Sequence, residues 1–352
     1  MANVRPLFLP MRDTILIAPD KFKGTFSAEE VADIIASELT GPMPMHLQTL
    51  PMADGGEGTP STLNNRKVLV SNDFIGPHCF GDLPLMERSS YALGEAIKRQ
   101  LSKNESFYVA IGGTATSDGG AGVLQALGAK FYTHDDQLIS SPISPNILPS
   151  VVNILLPEGF EVLLRDRVTL LCDVKASLLG PRLSSLDFAK QKGATEEDVK
   201  RIRQGLEHLK NLLPSSSSCV FDGAGGGVAY ALASVAGADA LEGSQTILNA
   251  ANVDWDRIAL VISGEGRIDN QTAGGKVVAC LLKEARSHGI PFIGIGGYIE
   301  PGYRSSGSAD EELYFSCLQN PLDFNPSKAE ERLRKTVQEA LPNLLGLLKQ
   351  RF

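Results

Sequence analysis

The 352-residue chain has little of what marks several common classes of protein. Its five cysteines, Cys79, Cys172, Cys219, Cys280 and Cys317, are scattered and form no CxxC pair, which gives no zinc signature and fits reduced thiols in a cytoplasm. His46, His78, His134, His208 and His288 stand alone, and no HExxH is present. No long hydrophobic run exists. Leu7-Phe8-Leu9 is bracketed by Pro6 and Pro10, too short for a membrane span or a signal-peptide core. Basic residues are in deficit, 33 Lys and Arg against 41 Asp and Glu for a formal net charge of −8, so the chain has no nucleic-acid footprint. GxGxxG is missing, which disfavours a dinucleotide-dependent dehydrogenase. A Walker loop fails around Gly275-Lys276, because Asn270 stands where Gly is required and Val277 where Ser or Thr is. The expected location is the cytoplasm, with neither membrane nor nucleic acid as partner and self-association left open.

What the chain has is glycine, 35 residues of it, much of it clustered beside carboxylates. Hydrophobic residues make up 43% and charged residues 21%, as in a soluble globular protein long enough for two domains. The densest stretch runs from Val261 to Lys276. An apolar strand there gives way to a loop with Glu265, Arg267, Asp269 and Lys276 among glycines, before a helix begins. Glycines let a backbone approach a ligand closely, and helix-end amides suit an anion. The charged groups fit a phosphorylated substrate and its metal. An ordinary polar strand-to-helix turn is the other reading of the same pattern.

Three strand–loop–helix units predict an α/β fold with a largely parallel sheet. In the first, Thr14–Ala18 is a buried strand, and Ser27-Ala28-Glu29-Glu30 is a capping-box pattern before apolar residues at helical spacing. The second runs from Phe107–Ile111 through a Gly-Thr-Ser loop into a helix carrying Val123, Leu124 and Leu127. The third has a strand at Ile258–Ile262, the charged loop, a helix over Val277–His288 and a strand at Phe292–Ile295. Pro142 to Pro157 reads as irregular, 214–218 as a flexible loop, and Lys328–Ala340 as a helix that Pro342 ends or kinks. Residues 1–13 are expected to be disordered, with Met11 a candidate start.

Four constellations carry candidate chemistry. Asp20, Lys21 and Lys23 follow the first strand, where open parallel sheets bind ligands. Asp54-Gly55-Gly56-Glu57 places two carboxylates among glycines, suited to Mg²⁺ or to a substrate proton, or else forms a tight acidic turn. Gly112-Gly113 opens a loop of hydroxyls that leads to Asp118. Asp173 follows the apolar run Leu170-Leu171-Cys172 directly, and Gln191-Lys192-Gly193 joins it; Cys172 reads as a packing thiol.

The segments IAPDKFKGTFSAEEVA, PMADGGEGT, AIGGTATSDGGAGVLQALGAKF, CDV with LLGP, QKGAT and VISGEGRIDNQT-GGK together resemble the bacterial glycerate kinase family of the glycerate 2-kinase type. The chain departs from the family pattern after Gly81, where it is shortened, and in the stretch Glu87–Glu95, where only Ser90, Gly94 and Glu95 match. The resemblance implies two α/β domains: a Rossmann- or flavodoxin-like parallel-sheet domain built from 14–60 and 255–352, and an inserted domain of restriction-enzyme-like type over 61–254. It also implies ATP-dependent, Mg²⁺-dependent phosphorylation of (R)-glycerate to 2-phosphoglycerate or 3-phosphoglycerate. The alternative is a catalytically impaired homologue that binds sugar acids. Within this frame Asp173, Asp118, Lys192 and Arg267 are the expected catalytic residues, with Asp173 and Asp118 as Mg²⁺ ligands. Asp20, Lys21, Lys23, Asp54, Glu57, Gly112, Gly113, Glu265, Asp269 and Lys276 are expected to bind substrate or nucleotide.

Overall fold

The computed structural model describes residues 12–43, 45–181, 183–214, 219–269, 276–303 and 312–349. The readings made of residues 1–11, of 215–218 and of Gly274-Gly275 lie outside them. The chain divides into two compact units, one built from residues 1–53 and 251–352 and the other from 54–250.

The first unit opens with β1 (Thr14–Ile17), α1 (Ala28–Leu39) and β2 (His46–Thr49). Ser27 starts α1 through a reciprocal cap: Glu30 N–H donates to Ser27 Oγ at 3.2 Å, and Ser27 N–H to Glu30 Oε2 at 2.8 Å. Such a box satisfies two of the N–H groups that a helix start leaves without partners. Val31, Ala32, Ile34, Ile35 and Leu39 then face the core at helical spacing.

The second unit contains, in order, β3 (Thr62–Leu63), β4 (Arg66–Val70), α2 (Asn72–Ile75), α3 (Tyr91–Leu101), β5 (Phe107–Ile111), α4 (Ala121–Ala126), β6 (Lys130–Tyr132), β7 (Asn153–Leu155), β8 (Val168–Cys172), α5 (Ser185–Gln191), α6 (Glu196–Leu212), β9 (Asp239–Glu242) and α7 (Gly243–Ala250). Its sheet runs β3-β4-β5-β8-β9, parallel except for the β3–β4 hairpin. That hairpin turns on Asn64 and Asn65, with φ of 50° and 60°, the backbone region asparagine enters most readily among residues with a side chain. A one-turn π-helix lies at Tyr230–Val235. β6 and β7 form a separate antiparallel pair, so the proline-rich stretch read as irregular contains a strand. Its Ile154 is 9% exposed and packs in the core, which draws the segment into order.

The first unit resumes with β10 (Ile258–Ile268), α8 (Val277–Ser287), β11 (Phe292–Ile299), β12 (Glu312–Leu318) and α9 (Ala329–Lys349). All five strands of its sheet pair in parallel in the order β12-β11-β10-β1-β2. Counted along this unit the order is 2-1-3-4-5, the flavodoxin-like arrangement, and its direction of winding reverses between β1 and β10.

The structure departs from expectation at β10 and at the last helix. Ser263 to Ile268, read as loop, continues β10, because Gly264, Glu265, Arg267 and Ile268 stay in register with β11 at Ile295, Gly296, Tyr298 and Ile299. Of the two outcomes expected at Pro342, an end to the last helix is not found: the helix runs on to Lys349. Leu344, Leu347 and Leu348 lie buried against the core beyond it, and their burial offsets the hydrogen bond that proline cannot donate.

Candidate active site

In the second unit, the ends of β5 and β8 are packed backbone to backbone against the turn that follows Asp54. A Cβ on Gly112 would lie 2.5 Å from Gly56 Cα, and one on Gly55 2.8 Å from the Leu171 carbonyl oxygen. Gly243 meets the same turn, with a Cβ position 2.3 Å from the Asp54 carbonyl oxygen. These glycines are therefore spent on contact with one another, not on an open anion cradle. Asp54 Oδ1 accepts from Gly56 N–H at 3.2 Å, and Thr59 Oγ1 donates to the Gly56 carbonyl at 2.6 Å, so the turn is braced from within. Asp54 is half-buried, while Glu57 and Gly113 are exposed.

Beyond Gly113 the chain carries Thr114, Thr116 and Ser117, all buried. Lys192, which ends α5, reaches into this loop. Its ammonium donates to Thr116 O at 2.7 Å and to Thr114 Oγ1 at 3.2 Å. Gly226 forms the facing wall, where a Cβ would come within 3.1 Å of Lys192 Nζ. Gly225, Gly226 and Gly227 all have positive φ, of 65°, 70° and 96°, a backbone course that residues with a side chain adopt only under strain. Burial lowers the Lys192 pKa to about 8, while the nearby charges of Asp173 and Asp118 oppose the shift and Arg88 adds to it. Asp173 stands half-buried at the exit of β8, as its place after the apolar run requires. The hydroxyls of Thr116 and Ser117 have no hydrogen-bond partner among the described residues.

Asp118, expected as a catalytic and metal-binding carboxylate, is placed differently. It is 0% exposed, and its oxygens accept from Ser90 N–H, Ser90 Oγ–H, Gly120 N–H and Gly122 N–H. A carboxylate enclosed by four protein donors is not presented to a ligand. Burial pushes its pKa up, and these hydrogen bonds act against that rise. Among the described residues no group of three or more His, Cys, Asp and Glu is arranged to hold a metal ion.

In the first unit, the candidates gather at the carboxyl ends of β1 and β10, the winding reversal where open α/β sheets bind ligands. Asp20 is buried, its N–H bonded to Gly264 O and its Oδ1 accepting the Lys21 N–H at 2.8 Å. Lys21 Nζ is 3.8 Å from the same oxygen. Phe22 is buried beside Gly264, and Lys23 is exposed, its backbone lying close over Gly266. Glu265 is 5% exposed and pairs with Lys276 Nζ at 3.6 Å. Lys276 sits at the cap position of α8, where a cation opposes the helix dipole; the Glu265 carboxylate compensates it. Arg267 donates from Nε to Asp269 Oδ2 at 2.9 Å and lies over the Tyr298 ring.

The structure thus gathers the candidates into one cluster per unit. Ser90 and the Gly225–Gly227 run were not singled out as site residues by the sequence reading. The second carries a signal in its clustered glycines; Ser90 carries one only as a match to the family pattern, since its partner Asp118 is 28 positions away.

The family description "Glycerate kinase family" matches residues 15–79 and 81–348 of the chain. A glycerate kinase of Bacillus subtilis (strain 168) is 31% identical over 373 residues, covering 92% of this chain and 96% of the relative. A glycerate 2-kinase of Escherichia coli (strain K12) is 32% identical over 326 residues, covering 80% and 84%. A crystal structure assigned to glycerate kinase 2 of Salmonella typhimurium LT2 superposes with a TM-score of 0.67 at 26% identity, covering 95% of this chain and 98% of that one. An α/β protein with parallel sheets and these relatives is a kinase, an enzyme that moves a phosphoryl group. The chain belongs to the glycerate kinase family.

Proposed function

We propose that the protein transfers the γ-phosphoryl group of ATP to the 2-hydroxyl of (R)-glycerate, giving 2-phosphoglycerate. The observation that carries this reading is the Lys192 ammonium, held by Thr114 Oγ1 and Thr116 O beside Asp173. Two anionic reactants repel each other, so a fixed cation at the phosphoryl group is the first chemical requirement of this transfer. Asp173 is suited to orient the attacking hydroxyl and to accept its proton.

The donor set fits Mg²⁺ bound mainly through substrate phosphates, since Asp173 is half-buried and no closed protein cage is found among the described residues. When bound, the ion supplies charge neutralisation across the phosphates. Taken by itself, the first unit offers a planar guanidinium at Arg267, suited to a carboxylate, and point charges at Lys23 and Lys276, suited to phosphate.

A ³¹P NMR spectrum after incubation with ATP, Mg²⁺ and (R)-glycerate tests the proposal. A 2-phosphoglycerate resonance with matching ADP is expected. Titration heat from glycerate without phosphorylated product would replace the enzyme reading with that of a sugar-acid binder.

A further inference from the structure

Asp118 and Ser90 form a closed hub between two helices. Asp118 Oδ2 accepts from Ser90 N–H at 2.8 Å, Ser90 Oγ–H at 2.7 Å and Gly122 N–H at 3.2 Å, and Oδ1 accepts from Gly120 N–H at 3.1 Å. Ser90 Oγ in turn accepts from Val123 N–H at 3.0 Å. The pair therefore satisfies amides at the start of α4, whose own cap residue, Gly120, has no side chain to do so. The fit is tight: a Cβ on Gly122 would lie 2.3 Å from Ser89 Oγ and 2.6 Å from Tyr91 N. The beginning of α3 thus rests directly on the beginning of α4.

Two residues before Asp118 is Thr116, whose carbonyl receives the Lys192 ammonium. One residue after it, Gly119 N–H donates to Gly226 O at 3.1 Å, which ties down the opposite wall of the same ammonium. We propose that Asp118 is a positioning residue: through Ser90 and the α4 amides it fixes the Thr114–Ser117 loop and the Gly226 wall that together place Lys192. This rests on the role given to Lys192 above and gives Asp118 no contact with substrate or metal. The charged groups around Lys192 are Asp173 from the end of β8, Asp118 itself, and Arg88 from the segment before α3.

Ser90→Ala and Asp118→Asn are compared with Ile97→Ala, which removes a buried side chain of α3 and leaves the hub's hydrogen bonds in place. Steady-state kinetics, thermal melts and amide hydrogen exchange of residues 114–117 are measured on all three. The expected result is a fall in kcat of at least about tenfold for Ser90→Ala, with KM values changed less than about twofold. Its loop amides should exchange faster than those of Ile97→Ala, which should lose melting temperature yet keep its kcat. Folded Ser90→Ala and Asp118→Asn with wild-type kcat and unchanged exchange would overturn the proposal. So would an Ile97→Ala enzyme that loses kcat in the same proportion to its melting temperature. If wild-type enzyme forms no phosphoglycerate, the kinase reading fails by itself, and the exchange comparison still decides whether the hub orders the loop.

Discussion

Gly112 faces Gly56 so closely that it has no space for a side chain: a Cβ on Gly112 would be 2.5 Å from Gly56 Cα and 3.0 Å from Gly56 N. Both obstacles are backbone, so nothing can swing aside. Gly112→Ala should destabilise the protein by about 1–3 kcal/mol, the usual range for overpacking. Thermal denaturation measures this, and an unchanged melting temperature would show that the turn after Asp54 can move.

The acidity of Lys192 predicts an alkaline limit to activity. Its pKa falls from 10.5 to about 8 on folding, so between those values the unfolded chain holds a proton that the folded one has released. Stability from this group therefore rises with pH across that window. Activity should move the other way. The neutral amine cannot offset phosphate charge, so kcat/KM, which reports the free enzyme, should decline as pH passes about 8. Lys192→Arg should carry that decline to higher pH, since guanidinium stays protonated throughout. A wild-type profile without an alkaline limb in this region would take Lys192 out of the reaction.

Asp173→Asn keeps the side-chain shape at the end of β8 and removes its charge. Turnover should fall at least about a hundredfold, a loss within the usual contribution of a positioned acid or base, while the melting temperature changes little. A variant that melts normally and turns over near the wild-type rate would place Asp173 outside the reacting shell.

Lys276→Met separates two roles. Its pairing with the almost buried Glu265 predicts a modest loss of stability, because a carboxylate with 5% exposure loses part of its charge compensation. A phosphate role predicts in addition a fall in kcat/KM of at least about tenfold, or about 1.4 kcal/mol. Melts and kinetics of one preparation tell them apart: lost stability with unchanged kcat/KM makes the lysine purely structural.

Local signals in the sequence read well. The Ser27–Glu30 box, the buried strand at Thr14 and the exit of Asp173 from an apolar run each depend on neighbours within a few positions, and each is found as expected. Readings that depended on distant partners went astray. Gly264-Glu265-Gly266-Arg267 has the composition of a loop, but pairing with β11 makes it strand. Asp118 sits among hydroxyls and glycines as a ligand carboxylate would, yet Ser90, far back in the chain, turns it inward. The glycine clusters read as places where the backbone approaches a ligand, but around Gly55, Gly112 and Gly243 what approaches is another stretch of backbone. Pro342 carries a strong local stop signal that the leucines behind it override.

The pairing of β1 with β10 joins Thr14 to Ile258 and Ile17 to Ile262. The whole second unit, 54–250, is spelled out between these partners. On the ribosome the inserted segment is contiguous and able to fold as it emerges, whereas β1 and β2 must wait for a strand not yet made. Closing so long a loop is slow, since its entropy is lost before the contacts across it form. The sheet that carries Asp20 and Glu265 is thus completed late, and until then the side of β1 that faces β10 is an apolar edge open to other chains.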